Sequence, residues 1–309
     1  MPQLHIPTSR LGSTDLIVSR IGLGLAALGR PAYINLGRQR DLGPHRSVAE
    51  LERRCHDMLD AAYAAGVRYV DAARSYGLAE DFLGTWLKTR NPPRDSITVG
   101  SKWGYSYTGS WQLDAPVHEV KDLSIGTLRR QIVESRSLLG DRLQLYEIHS
   151  ATIESQVLEN IDVLRELGRL RSSGLVIGLT VTGPNQPDVI RRALDVRVDG
   201  VNPFQVVQAT WNLFERSAAA ALAEAHATGW GVIIKEALAN GRLADRDVLA
   251  FAAVLSQPWV DVVLSGAVTL NQLERNLKSI ALMREPADWP DIAESPTEYW
   301  ARRSALAWQ

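Results

Sequence analysis

The chain has 309 residues, 45% hydrophobic and 22% charged, with 34 Lys+Arg against 35 Asp+Glu and a formal net charge of −1. A chain this long buries roughly 75% of the surface its unfolded form exposes, enough for a sizeable core. The charge balance argues against nucleic-acid and membrane-surface partners, which need a basic excess. The polar start MPQLHIPTSRLGSTDL lacks the apolar stretch of a signal peptide. No run approaches the roughly 18 apolar residues of a membrane span. Cys55 is the only cysteine, which excludes an intrachain disulfide and fits a reducing compartment. A cytoplasmic protein is expected.

Short apolar, β-branched runs alternate with longer amphipathic ones. Strands are expected at Arg20–Leu25, Val67–Asp71, Ile97–Ser101, Leu143–His149, Leu175–Thr180, Phe204–Gln208, Gly231–Lys235 and Asp261–Ser265. Helical periodicity fills the intervals: Val48–Ala65, Asp81–Lys88, Ser124–Leu139, Ser155–Leu167, Pro187–Leu194, Glu215–Ala227, Asp245–Leu255 and Leu270–Leu282. Strands that alternate with helices imply a parallel sheet. The glycines from Gly22 to Gly29 miss the GxGxxG spacing of an open dinucleotide-binding sheet and lead into a Pro/Gly-rich segment, not a helix. Near-equal βα units instead predict a (β/α)8 TIM barrel, and with no linker in sight, one domain over residues 1–309.

Two connections are too long for simple turns, Leu28–Ser47 and Trp103–Leu123. Both follow strand C-termini, the face on which barrels build their sites. The second carries Trp103, Tyr105, Tyr107 and Trp111. Trp103 and Tyr105 are the candidates for a substrate wall, the alternative being a loop packed by its own rings.

The same face collects polar residues. The second strand ends at Asp71 with Tyr76 five residues on, Lys102 follows the third, and His149 ends the fourth. Singly, each has an ordinary structural explanation. Together they make a proton-transfer device. A free phenol has a pKa near 10, too high for an efficient acid near neutrality. An ammonium beside it lowers that value, and a carboxylate holds the ammonium. Asp71 is thus expected to hold Lys102, Lys102 to lower the Tyr76 pKa, and His149 to orient or polarise a carbonyl. No metal-ligand cluster is evident.

These residues, with the strings LGSTDLIVSRIGLG, GVRYVDAARSYG, SKWG, EIHS, VVQATWNLFER and LSGAVTLNQLERNL, resemble the aldo-keto reductases over nearly the whole chain. The resemblance implies the barrel, an N-terminal hairpin, a C-terminal extension, and direct hydride transfer from a nicotinamide cofactor, typically NADPH. It implies Tyr76 as general acid assisted by Asp71, Lys102 and His149. At the nicotinamide it implies Thr180 and Gln208, with Gly24, Lys235, Ala237 and Leu238 at the neighbouring strand ends. Asn240, Gly241 and Arg242 correspond to a diphosphate loop. Ser265, Gly266, Ala267, Thr269, Gln272, Arg275 and Asn276 correspond to the adenosine end.

Several positions depart from the family pattern. Val181 stands where an asparagine is usual, and Lys235 where an aromatic ring stacks on the nicotinamide. Gly266 and Gln272 replace the Lys and Arg that bind a 2′-phosphate, so NADH stays open beside NADPH. The expected substrate is a small carbonyl or alcohol. Carbonyl reduction is the leading reading. An aldose-type dehydrogenase working oxidatively is the nearest alternative, and a cofactor-binding regulatory subunit with little turnover is the different-class one. Neither substrate identity nor oligomeric state is readable.

Overall fold

The structure, a computed structural model, describes residues 6–282 and 289–309. The expectations for residues 1–5 and for Glu285–Asp288 of the C-terminal stretch lie outside these. The chain opens with an antiparallel hairpin, β1 (Thr8–Arg10) and β2 (Ile17–Ser19). Barrel strand β3 (Ile21–Gly24) then leads through a short helix α1 (Arg38–Leu42) to α2 (Val48–Ala64), and β4 (Tyr69–Asp71) to α3 (Ala79–Arg90). Next comes β5 (Thr98–Trp103), followed by a small hairpin of β6 (Tyr105–Tyr107) and β7 (Glu119–Lys121) and then α4 (Ile125–Leu139). Four further units are β8 (Leu143–Ala151) with α5 (Ile161–Ser172), β9 (Val176–Val181) with α6 (Gln186–Asp195), β10 (Val206–Thr210) with α7 (Ala219–Ala227), and β11 (Gly231–Lys235) with α8 (Asp247–Leu255). The last barrel unit is β12 (Val262–Ser265) with α9 (Leu270–Lys278), and α10 (Pro296–Ser304) follows as the extension.

The barrel closes in the order β10-β11-β12-β3-β4-β5-β8-β9, every pairing parallel. All eight predicted strands are its staves, as the period-2 signal requires. Side chains alternate between inside and outside along each stave. Tyr69, Leu145, Val206, Ile233, Val262 and Leu264 form the inner cluster with Leu11, Leu16 and Val18 of the N-terminal hairpin. Their strand neighbours, such as Val70, Tyr146, Val207 and Val263, join the helices in a larger outer core. Cys55 is buried in that layer on α2.

Helix starts follow local chemistry. Ser47, Ser124, Asn160 and Thr269 each accept a hydrogen bond from the backbone N–H three residues on. The Asn160 cap explains why α5 begins at Ile161 and not at Ser155: the intervening residues form turns. The hairpin β6–β7 and helix α1 lie inside the two long connections and were not foreseen. Among the described residues, no helix is long and apolar enough to cross a membrane.

Candidate active site

Strand alternation places Asp71, Lys102 and His149 on inward positions at the C-terminal ends of β4, β5 and β8, which pair in that order. Lys102 Nζ donates to Asp71 Oδ2 at 2.5 Å and to the Ala72 carbonyl at 2.9 Å. It also lies over the Tyr76 ring, 4.9 Å from the centroid. The His149 ring meets Tyr76 edge-on with centroids 5.4 Å apart, and its Nδ1 lies 3.4 Å from Ser75 Oγ. The four sequence-derived residues therefore converge on one point.

Their electrostatics differ from expectation in one respect. Burial, and then the Asp71 charge, push the Tyr76 phenol well above its ordinary range, with Arg30 the cation that pulls it down. Lys102 was expected to lower it, but that ammonium is turned to Asp71 and a carbonyl. His149 is held well below the usual imidazole value by burial and by Lys102, Lys235, Arg30 and Lys121. At neutral pH the site thus presents a neutral phenol beside a neutral imidazole.

Beneath them runs a buried polar layer in which sequence reasoning named Asp71 and Gln208 but missed Tyr69 and Glu147. Gln208 donates to Asp71 Oδ1 at 3.0 Å and to Glu147 Oε2 at 3.2 Å, and Tyr69 OH donates to Asp71 Oδ1 at 3.3 Å. Burial raises the Glu147 carboxyl to about 8. Strand parity could have found it, since Glu147 stands two residues before His149 and must share its inward face.

A cavity of about 570 Å3 opens beside this cluster, lined by Asp71, Tyr76 and His149, within the ~300–1,000 Å3 common for small-molecule and cofactor clefts. Gly24, Thr180, Gln208, Lys235, Ala237 and Leu238 also line it, together with Asn240, Gly241, Gly266, Ala267, Thr269, Gln272, Arg275 and Asn276. Lys235 donates to Thr210 Oγ1 at 3.2 Å and is lowered to about 8 by burial. The neighbouring Glu236 is gripped by Arg303, whose Nε and Nη2 both donate to its carboxylate.

Four of the expected binding residues, Trp103, Arg242, Ser265 and Tyr105, lie off the wall of this cavity. Trp103 follows Lys102 on β5, so alternation turns it outward; it is fully buried in the helical core and does not line the cavity. Arg242 is directed away to Glu294, with Nη1 donating at 3.0 Å. Ser265 is fully buried, its Oγ accepting from Asn276 Nδ2 at 2.8 Å. Tyr105 lies 4.9 Å from the His149 ring, centroid to centroid, at the edge of a neighbouring pocket.

Sequence reading also passed over Arg30 and Tyr33, which share the cavity wall with Trp308 of the C-terminal tail. Arg30 is almost wholly buried, pairs with Glu119 at 2.8 Å and stacks against Tyr33, Tyr76 and Trp308. These come from loops and the C-terminus, where no periodicity marks them.

The fold and site are those of a parallel eight-stranded barrel with its reactive polar cluster at the C-terminal mouth. A family model described as the aldo/keto reductase family matches residues 20–253. The chain belongs to that family of oxidoreductases. It is 26% identical over 255 residues to a D-threo-aldose 1-dehydrogenase of Pseudomonas sp, covering 77% of this chain and 73% of that protein. It is 29% identical over 176 residues to an NADH-specific methylglyoxal reductase of Escherichia coli; that match covers 53% of this chain and only 50% of its relative. A crystal structure of a candidate aldo-keto reductase from Pseudomonas aeruginosa superposes with a TM-score of 0.70 at 27% identity, covering 91% of this chain and 97% of that one. A glycerol dehydrogenase from Gluconobacter oxydans shares the fold, with a TM-score of 0.62 at 21% identity over 88% and 89% of the two chains.

Proposed function

We propose that the chain interconverts a carbonyl compound and its alcohol with a nicotinamide dinucleotide, Tyr76 exchanging the proton at oxygen. The observation that carries this reading is the convergence of Asp71, Tyr76, Lys102 and His149 at one end of the cavity. Thr180, Gln208 and Lys235 would hold the nicotinamide, the Leu238–Gly241 segment the diphosphate, and the 266–276 segment the adenosine. Two features of the wall fit such a group. Asn240 Oδ1 and Asn276 Oδ1 are buried without a hydrogen-bond partner, and a Cβ at Gly266 would meet nothing within 4 Å, leaving room against the backbone. When bound in reduced form, the cofactor supplies a hydride to the carbonyl carbon.

The protein's part is to manage the oxygen. Tyr76 retains its proton at neutral pH and donates it as negative charge develops there. The phenolate left behind lies beside the Arg30 guanidinium, the cation that pulls the Tyr76 phenol down, while the Lys102 ammonium sits over its ring. Asp71 and the Ala72 carbonyl hold that ammonium in place. Neutral His149 offers a ring N–H to the same oxygen, fixing its direction. In the reverse direction the same residues serve, with Tyr76 as base.

The test is turnover of small aldehydes with NADH or NADPH in wild type and Tyr76→Phe. The variant should lose about 10²–10⁴-fold in kcat while tryptophan-fluorescence titration gives an unchanged cofactor Kd. Retained turnover overturns the Tyr76 assignment. A wild type that binds neither cofactor overturns the oxidoreductase reading.

A further inference from the structure

The far end of the cavity, away from Tyr76, is walled by α1, the β12–α9 turn and the start of α8. Asp41 on α1 lines it, and its Oδ2 accepts from Gln272 Nε2 at 2.8 Å. Gln272 Oε1 in turn accepts from the Val268 N–H at 2.9 Å, so this amide is fixed from both sides. Asp245 and Asp247 line the same end. Of the three arginines that line this end, two are already committed and the third, Arg40, faces solvent. Arg275 Nη2 donates to Asp247 Oδ1 at 2.6 Å. Arg38 is buried and spends its guanidinium on carbonyls of the loop after β3, Ala27 at 2.6 Å among them. Arg40 is mostly exposed and reaches Asp41 at only 3.5 Å. A second observation marks this end as a binding surface: Asn276, 2% exposed, lines it with its Oδ1 unpartnered.

Resting on the oxidoreductase reading above, we propose that Asp41 reads the adenosine ribose and that this chain takes NADH in preference to NADPH. The two cofactors differ by one phosphate on the ribose 2′ oxygen. The N-terminus of α9 and the turn after β12 attract the phosphate-bearing half of the dinucleotide, as the last two strand–helix units of such barrels commonly do. A 2′-phosphate, close to doubly charged at neutral pH, would then face the Asp41 carboxylate, with Asp245 nearby, Asp247 neutralised by Arg275 and, among the described residues at this end, no uncommitted buried cation to offset Asp41. A 2′-hydroxyl can instead donate to Asp41, the solution used by acidic residues in NAD-binding sheets. This departs from the NADPH expected from family resemblance, and the reason is local: Gln272 recruits a carboxylate to the place where a basic side chain would have recruited a phosphate.

Fluorescence titration of the purified chain with NADH and with NADPH tests this without turnover. NADH should bind at least about tenfold more tightly, because like charges brought together are strongly disfavoured, and the ratio should shrink as salt is raised. Asp41→Asn retains an acceptor for Gln272 and removes the charge, so NADPH should tighten by about tenfold and the ratio narrow. Gln272→Arg should narrow it as well, by supplying the missing cation. NADPH binding as tightly as NADH to the wild type overturns the inference and leaves the oxidoreductase reading standing. An unchanged ratio in Asp41→Asn removes Asp41 from the role. Binding of neither cofactor overturns both.

Discussion

Glu147 illustrates how one buried side chain sets a property of the molecule. Its carboxyl is enclosed by the barrel, Oε2 accepting from Gln208 while Oε1 has no partner. Burial outweighs the pull of Lys102 and Lys235 and, with Asp71 repelling, raises it from 4.5 to about 8. Between these values the native state holds a proton that the unfolded chain has released, so stability falls as pH rises. His149 has the opposite sign: neutral when folded, it loses stability as pH drops below its ordinary 6.5. The net loss from the two therefore falls between about 6.5 and 8. Lys235, lowered from 10.5 to about 8, contributes stability that returns as pH climbs through that higher window. Denaturant unfolding across pH should thus show Glu147→Gln gaining on wild type by about 2–4 kcal/mol from pH 5 to 8. Parallel curves would mean that Glu147 is ionised in the folded chain. At this scale the polar cluster was legible because Asp71, Lys102 and His149 sit at or next to strand ends and Tyr76 follows Asp71 by five residues. Glu147 hides one alternation below His149, and Asp41 sits on the five-residue α1, too short to carry a periodic signal.

Among the elements, the C-terminal helix α10 does what no earlier segment does: it fastens the rim of the site from outside the barrel. Ser295 caps it, accepting from the Glu298 N–H at 3.3 Å and donating to the Glu298 side chain at 2.9 Å, a reciprocal arrangement written in the sequence as Ser-x-x-Glu. Tyr299 and Trp300 bury against Leu213, Leu243 and Ala250 on the outer layer. One turn on, Arg303 reaches the cavity and grips Glu236, and Trp308 stacks on His118 with centroids 4.2 Å apart. The tail packs outside the barrel through Tyr299 and Trp300 and then reaches the cavity wall through Arg303 and Trp308. Arg303→Met should cost about 3 kcal/mol by leaving Glu236 buried with its main partner gone. The double variant Arg303→Met/Glu236→Gln should recover part of that in equilibrium unfolding. No recovery would show that the contribution is packing alone. The barrel elements were readable because strand-like runs and longer helical runs alternate eight times along the chain. The three-residue strands β6 and β7 and the five-residue α1 are shorter than any window in which periodicity can register.

Seen whole, the molecule separates its chemistry from its closure, with the cavity at one end of the barrel and an apolar plug at the other. Leu11, fully buried, is pushed by the N-terminal hairpin into the inner cluster beside β11. Gly231 makes room for it: a Cβ there would lie 2.5 Å from Leu11 Cγ and 2.7 Å from Cδ1. Leu11→Ala should therefore destabilise by about 2–5 kcal/mol through the cavity it leaves. Gly231→Ala should cost about 1–3 kcal/mol through overpacking. The combination should be less destabilised than the sum, because the alanine methyl fills part of the space the leucine vacated; the remaining contact, to the Leu11 backbone carbon at 3.2 Å, is tight but tolerable. A coupling of about 1 kcal/mol or more in a double-mutant cycle, with cofactor affinity unchanged in all three variants, is the expected outcome. Strict additivity would mean that the hairpin shifts to relieve the clash and that the plug is not rigid. A change in cofactor affinity would mean that strain at the base of β11 travels along the stave to Lys235, and that the two ends of the barrel are not independent.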